Sequence, residues 1–232
     1  MRRCGIARLH DLGDKLPRPH AYLFDMDGLL LDTERLFLET GLPLLQEIGM
    51  SAAQARAFFC SLVGTSSVET SARLREVAGP RAAALEAAWR TATGARIERD
   101  GIALRPTVGE TLSALSGQGA RMAVVTSTHE AASRHHLQRA GLADHFELVV
   151  AGDAGVANKP DPAPYLHAAQ SLGVDPADCA AFEDSDPGIA SAVRPGCMAF
   201  QIPDLRPAGL SPPALGQRIA TTLAEAVALL HA

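Results

Sequence analysis

Short apolar runs alternate along the chain with longer stretches in which apolar residues recur at helical spacing. The short runs are bounded by polar or glycine-containing sequence, which is typical of strands buried in a parallel sheet. They predict strands at residues 21–24, 122–126, 148–151, 180–182 and 198–202. The helical stretches predict helices at residues 108–116, 130–140, 162–172, 187–193 and 221–230. Strands that alternate with helices predict the α/β class, with a doubly wound parallel sheet.

One long interval departs from this alternation. Almost a hundred residues separate the first predicted strand from the second, and residues 36–105 between them show helical spacing alone. We expect this interval to form a small all-helical domain over the carboxyl edge of the sheet, where ligands bind in such folds. The core domain would then combine residues 20–35 with residues 106–232, and residues 1–19 would be an N-terminal extension outside the fold.

Composition narrows the possible classes of function. With 47% hydrophobic and 20% charged residues the chain has an ordinary globular composition, and its apolar runs are too short to span a membrane. A net charge of −5 without a basic run argues against nucleic acid as a partner. The four cysteines form no C-x-x-C pair, so neither zinc nor a disulfide framework is indicated. We expect a monomer in the cytoplasm.

Polar side chains collect where the predicted strands end. Each of four strands is followed at or near its carboxyl end by a carboxylate, a hydroxyl or a lysine. These residues are Asp25, Asp27, Thr126, Ser127, Lys159, Glu183 and Asp184. Because the carboxyl ends of parallel strands meet at one edge of a sheet, we expect these side chains to lie in one crevice.

The charges in that crevice do not balance. Four carboxylates face a single lysine, so they would repel one another or hold protons at raised pKa values. A divalent cation would relieve the repulsion, and ligands that are all oxygen favour Mg²⁺ over zinc. A metal ion, a lysine and a hydroxyl around a carboxylate suit a phosphoryl group, which the carboxylate would attack.

The order of these motifs resembles the haloacid dehalogenase superfamily, in its phosphatase and phosphomutase branch. The resemblance covers residues 21–232, and the helical interval resembles the cap that this family inserts after its first strand. Four motifs carry it, namely Asp25-x-Asp27-Gly28, Thr126, Lys159-Pro160 and Glu183-Asp184.

The resemblance implies a role for each carboxylate. Asp25 would be the nucleophile that forms an aspartyl-phosphate, and Asp27 would act as general acid and then as general base. Asp25, the backbone carbonyl of Asp27 and Asp184 would hold Mg²⁺, with Glu183 beside the metal through a water molecule.

The resemblance also implies partners for the substrate. Thr126 would donate a hydrogen bond to the phosphoryl oxygens, and Lys159 would offset charge on the nucleophile and the phosphate. Ser127 and the loop residues Gly64, Thr65 and Ser66 would contact the rest of the substrate.

Two departures from the family's mutases favour a phosphatase. In the β-phosphoglucomutase-like branch an arginine follows the small residues of the cap loop, but residues 64–67 contain none, and Phe37 stands where that branch has a histidine. The resemblance therefore implies an Mg²⁺-dependent phosphatase acting on a small metabolite such as a sugar phosphate, phosphoglycolate or a nucleoside monophosphate. A β-phosphoglucomutase-like sugar phosphomutase is the alternative, and a non-catalytic protein that binds phosphate esters is the third.

Overall fold

A computed structural model describes residues 18–63, 65, 67–205 and 210–230. Most of the predicted N-terminal extension therefore lies outside the described residues. In the described part six parallel strands form one sheet, in the order β3-β2-β1-β4-β5-β6. The strands are β1 Ala21–Phe24, β2 Met122–Val125, β3 Leu148–Val150, β4 Cys179–Glu183, β5 Met198–Gln201 and β6 Arg218–Ile219. This sheet confirms the predicted fold class.

Nine α-helices accompany the sheet within the described ranges. They are α1 Thr33–Glu47, α2 Ala52–Leu62, α3 Ser67–Ala78, α4 Ala82–Asp100, α5 Val108–Gly117, α6 Glu130–Arg139, α7 Ala163–Leu172, α8 Asp186–Val193 and α9 Leu223–Ala228. Among the described residues between β1 and α5 the named elements are helices, and no strand of the sheet lies there. None of the helices described here is both long enough and apolar enough to cross a membrane.

Both faces of the sheet are buried, which explains why its strands are continuous apolar runs. Tyr22 and Phe24 of β1 belong to the apolar cluster on one face, whereas Ala21 and Leu23 belong to the cluster on the other. The ring of Phe24 stacks on Phe182 of the neighbouring strand β4, with centroids 5.0 Å apart. The period-2 alternation of side chains thus divides every central strand between two cores.

The topology opens a crevice at the carboxyl end of β1. The chain proceeds outward from β1 through β2 and β3 and then returns to the other side of β1 with β4. Such a reversal is where ligands bind in doubly wound sheets. The amide of Asp25 donates to the carbonyl of Phe182 at 3.0 Å, so the residue after β1 is held beside the end of β4.

Strand β6 was missed by the sequence analysis. It contains only Arg218 and Ile219, which pair with Phe200 and Gln201 of β5. Two residues are too few to show the alternation that identifies a strand, so the pairing depends on tertiary contacts.

Helices α1 to α4 have an apolar cluster of their own. Its buried members are Leu45, Ala55, Leu74, Ala78, Ala82 and Leu85. Two backbone hydrogen bonds join the segments that enter and leave the helices, from Asp32 to Ala103 at 2.9 Å and from Arg105 to Leu30 at 3.0 Å. The four helices therefore share a cluster of their own and are joined to the sheet by two adjacent segments, while Leu36 of α1 and Ile97 of α4 also belong to the apolar cluster on one face of the sheet.

Candidate active site

A cavity of about 220 Å³ lies at the carboxyl edge of the sheet. Its walls bring together residues that are up to 159 positions apart in the chain and that the sequence analysis selected. They include Asp25, Asp27, Thr65, Thr126, Ser127, Lys159 and Asp184. Of the remaining predicted site residues, Glu183 is fully buried, and Gly64 and Ser66 lie outside the described residues.

Three carboxylates crowd together at the bottom of this cavity. One oxygen each from Asp25, Glu183 and Asp184 can be chosen so that all lie within 4.8 Å of one another, and all three residues are buried. Burial, followed by the charge of Glu183, raises the pKa of Asp25 well above its ordinary value, although Lys159 opposes the shift. Burial and the charges of Asp25 and Glu183 also raise the pKa of Asp184. The cluster therefore carries more negative charge than its protein surroundings compensate.

Lys159 is the buried cation of the site. Its Nζ lies 2.5 Å from Asp25 Oδ1 and 2.6 Å from Glu183 Oε1, and it donates to the carbonyl of Val125 at 2.7 Å. Burial by itself lowers the pKa of Lys159, but the two carboxylates outweigh burial and raise it. The lysine is therefore charged at neutral pH and fixes one oxygen of Asp25.

Glu183 is held from several sides by neighbouring groups. Tyr165 on α7 donates its hydroxyl to Glu183 Oε1 at 2.6 Å, and Ser185 donates to Oε2 at 3.3 Å. A Cβ on Gly188 would lie 1.9 Å from Glu183 Oε2, so a side chain there would displace the carboxylate. The structure thus places Glu183 as a buried partner of Lys159. Its predicted contact with a metal through water stays a prediction.

Tyr165 was missed by the sequence analysis, because a tyrosine on an apolar helix face does not differ from an ordinary core residue. It is fully buried, and Nζ of Lys159 lies 5.6 Å from the centre of its ring. The tyrosine therefore supports both members of the Lys159–Glu183 pair.

We expect Tyr165→Phe to destabilise the protein by about 1–3 kcal/mol, because a buried carboxylate loses a hydrogen bond. Urea unfolding measures the change. Tyr22 is the chain's other tyrosine and is also buried, and Tyr22→Phe is the matched control for loss of a hydroxyl. Equal destabilisation by the two changes would contradict a special role for the Tyr165 hydroxyl.

Two threonines orient Asp27. Thr128 donates to Asp27 Oδ2 at 2.7 Å, and Thr126 donates to the same oxygen at 3.4 Å. Thr126 was predicted at the site, whereas Thr128 was not, although the Thr126-Ser127-Thr128 sequence offered three consecutive hydroxyls as a signal. The pair holds the Asp27 carboxylate at the cavity wall.

Glu34 lines the same cavity from the first turn of α1 and received no role from the sequence. Burial, followed by the charges of Asp27 and Asp204, raises its pKa from 4.5 to about 7. Near neutral pH its carboxyl group is therefore partly protonated and can donate a hydrogen bond.

We expect Glu34→Gln to change how stability depends on pH. The folded pKa of Glu34 lies above its ordinary value, so the protonated carboxyl stabilises the fold below pH 4.5 and this contribution is lost as the pH rises through about 7. As the pH rises from 4.5 to about 7, the free energy of unfolding of wild type should therefore fall more than that of the variant. The difference between the two decreases should be up to about 3 kcal/mol. Urea unfolding in EDTA at several pH values measures this difference, and parallel curves would contradict it.

Gly28 allows Asp184 to enter the cluster. Its φ of 81° is in the left-handed region that favours glycine, and a Cβ there would lie 2.4 Å from Asp184 Oδ2. The glycine after Asp27 is therefore required both by the turn and by the close approach of a carboxylate.

Comparisons with known proteins agree with this geometry. The sequence profile of the haloacid dehalogenase-like hydrolases matches residues 22–202. Protein CbbY from Rhodobacter capsulatus is 31% identical over 194 residues, which are 79% of this chain and 85% of CbbY. A phosphoglycolate phosphatase from Neisseria meningitidis is 30% identical over 188 residues, 78% of this chain and 79% of that protein.

A solved structure agrees over nearly the whole chain. The crystal structure of CbbY from Rhodobacter sphaeroides in complex with phosphate is 25% identical, with a TM-score of 0.73. The similarity covers 92% of this chain and 100% of that chain. The chain belongs to the haloacid dehalogenase-like hydrolase family.

Proposed function

We propose that the protein is an Mg²⁺-dependent phosphatase that hydrolyses a small phosphorylated metabolite through an aspartyl-phosphate on Asp25. Membership of the family and relatives that carry phosphatase names support hydrolysis of a phosphoric monoester. The observation that carries the mechanism is the position of Asp25. Its carboxylate contacts the buried Lys159, belongs to an acidic cluster and lines the cavity at the carboxyl edge of the sheet.

The residues present fit a magnesium ion. The cluster of Asp25, Glu183 and Asp184 offers oxygen ligands only, which is the donor set that Mg²⁺ prefers. We propose that Asp25, Asp184 and the backbone carbonyl of Asp27 hold the ion. When bound, Mg²⁺ would offset the charge of the carboxylates and polarise the phosphoryl oxygens.

The first chemical step is transfer of the phosphoryl group to Asp25. The carboxylate of Asp25 attacks phosphorus while Lys159 holds its Oδ1. The bond from phosphorus to the ester oxygen breaks, and Asp27 gives its proton to the leaving alcohol. Thr128 and Thr126 keep the Asp27 carboxyl in position, and Thr126 is proposed to donate to the phosphoryl oxygens when substrate is bound.

The second step is hydrolysis of the aspartyl-phosphate. Asp27, now ionised, takes a proton from a water molecule that attacks phosphorus. The bond between phosphorus and the Asp25 oxygen breaks, so inorganic phosphate leaves and the carboxylate is restored. The carboxyl group of Asp27 acts as an acid in the first step and as a base in the second, so the enzyme returns to its starting state.

We propose that helices α1 to α4 are a cap domain over a core formed by residues 20–35 and 106–232. Their own apolar cluster and their attachment through two adjacent segments support this division. Helix α1 begins at Thr33, three residues before the predicted boundary at residue 36. Such a cap would exclude water during phosphoryl transfer.

We also propose a monomer in the cytoplasm. Cys60, Cys179 and Cys197 are free thiols, which supports a reducing compartment.

Release of inorganic phosphate tests this proposal. We expect wild type to release phosphate from members of a panel of sugar phosphates, phosphoglycolate and nucleoside monophosphates with Mg²⁺, and to stop when EDTA is added. Release that is unaffected by EDTA would contradict the metal requirement. Conversion of β-glucose 1-phosphate to glucose 6-phosphate without phosphate release would support the mutase instead, and binding without turnover would support a non-catalytic protein.

A further inference from the structure

A second and larger cavity, of about 410 Å³, adjoins the first. Helices α1 to α4 form most of its wall, and Glu34, Thr65 and Ser127 line both cavities. A phosphate ester whose phosphoryl group lies against Asp25 would therefore extend its leaving group past these three residues. The predicted substrate contacts Thr65 and Ser127 lie at this junction.

The second cavity has an apolar and aromatic wall, whereas Pro187 is the one apolar residue among the described residues that line the first. The apolar residues of this wall are Phe37, Phe59, Leu62, Val63, Leu74 and Trp89. The rings of Phe59 and Trp89 are 6.1 Å apart and tilted by 39°. This wall offers planar surface for contact with a ring.

Trp89 is fixed in this wall by the backbone of α1. Its Nε1 donates to the carbonyl of Phe37 at 3.0 Å, so the indole has no remaining donor for a ligand. A Cβ on Gly41 would lie 2.0 Å from Trp89 Cζ2, so the glycine lets the indole lie directly on the helix. The ring can therefore contribute its face to a bound ligand, without a hydrogen bond.

Several polar groups of the cavity already have partners. The hydroxyl of Thr93 is 2.8 Å from that of Thr40, and Thr65 donates to the carbonyl of Leu62 at 2.6 Å. Among the described lining residues Arg90 is the one cation, and its side chain is 74% exposed and paired with Glu86. A leaving group that carries a carboxylate would lose hydration there with few partners to replace it.

We propose that this second cavity binds the leaving group of the substrate, and that this group is an alcohol bearing a planar aromatic ring, the class to which nucleosides belong. The inference rests on the proposed phosphatase function and deepens it. It disfavours phosphoglycolate, whose leaving group is a small carboxylate. A cavity of this size is within the range of sites that enclose ring-bearing ligands.

Binding to an inactive variant tests the inference without turnover. Trp89 is the chain's one tryptophan, so its fluorescence reports occupancy of the cavity. The probes are 2-phenylethyl phosphate and ethyl phosphate, which differ by one ring, together with uridine 5′-monophosphate and phosphoglycolate. With Asp25→Asn in Mg²⁺ we expect 2-phenylethyl phosphate to bind at least about tenfold more tightly than ethyl phosphate and to change Trp89 emission. We expect the nucleotide to bind more tightly than phosphoglycolate.

Equal affinities within both pairs would overturn the inference. The proposed function fails on a different observation, namely that wild type releases no phosphate from any ester in Mg²⁺. Ligand binding is measured with the inactive variant, so its result does not depend on turnover. The two failures are therefore distinguishable.

Phe37→Ala tests whether the second cavity causes the preference for the ring-bearing ester. The change removes one ring of the wall but keeps the backbone carbonyl to which Trp89 donates, so the reporter stays in place. In the Asp25→Asn background we expect the preference for 2-phenylethyl over ethyl phosphate to fall at least about fivefold. Val77→Ala, an exposed apolar position on α3 outside the lining, is the control and should keep the preference. An unchanged preference in Phe37→Ala, or equal losses in both variants, would overturn the assignment.

If Phe37→Ala does not fold, Phe37→Leu, which removes the ring and keeps an apolar side chain, is judged by the same criteria.

Discussion

Replacing Asp25 by asparagine should abolish phosphate release and leave the fold intact. We expect kcat to fall by about 10³-fold or more, because a carboxamide cannot accept the phosphoryl group. The pKa of Asp25 is raised by burial, so the folded protein gains little from the charge that asparagine removes. Lys159 also contacts Glu183 at 2.6 Å, and the change does not remove either of these two side chains. Steady-state kinetics measure the loss, and circular dichroism checks the fold.

A control for the Asp25 change is Asp178→Asn, since Asp178 precedes β4 at the opposite edge of the sheet and its side chain is 47% exposed. It should keep the activity of wild type. A folded Asp25→Asn enzyme with more than about a hundredth of the wild-type rate would contradict the assignment of the nucleophile.

Replacing Lys159 by methionine should reduce both activity and stability. The change leaves Asp25, Glu183 and Asp184 clustered without their buried cation, and breaking such a pair costs about 3–5 kcal/mol. We expect the free energy of unfolding in EDTA to fall by about this amount, and kcat/KM in Mg²⁺ to fall by about 10²-fold or more. Urea unfolding and steady-state kinetics measure the two effects.

Lys159→Arg separates charge from shape. Arginine keeps the positive charge, so we expect it to retain more stability than methionine, although the bulkier guanidinium should disturb the contact with Asp25. A methionine variant as stable and as active as wild type would show that the lysine neither neutralises the cluster nor positions the nucleophile.

The sequence was sufficient to predict the sheet and the central carboxylates for a physical reason. Buried parallel strands are continuous apolar runs, and their carboxyl ends meet at one edge, so Asp25 and Asp184 could be placed together although they are far apart in the chain. Strand β6 could not be predicted, since two residues carry no periodicity.

The supporting residues of the site were less accessible to prediction. Tyr165 and Thr128 act through hydrogen bonds whose direction depends on how α7 and the segment after β2 pack against β1 and β4. The helical spacing of α1 and α4 likewise predicts helices but does not show that Phe37 and Trp89 line one cavity. Periodicity fixes which face of an element is apolar, whereas a specific contact depends on the packing of several elements.

The most direct test of the account is to find the phosphoryl group on Asp25. In Asp27→Asn, acetyl phosphate can still transfer its phosphoryl group, because its leaving group needs no proton from the enzyme, but hydrolysis lacks its general base. With Mg²⁺ we predict that the intact mass of this variant rises by one phosphoryl group, and that peptide mapping places the group on Asp25. Consumption of acetyl phosphate with no phosphorylated protein at any quench time, or a phosphoryl group on another residue, would contradict the proposed mechanism.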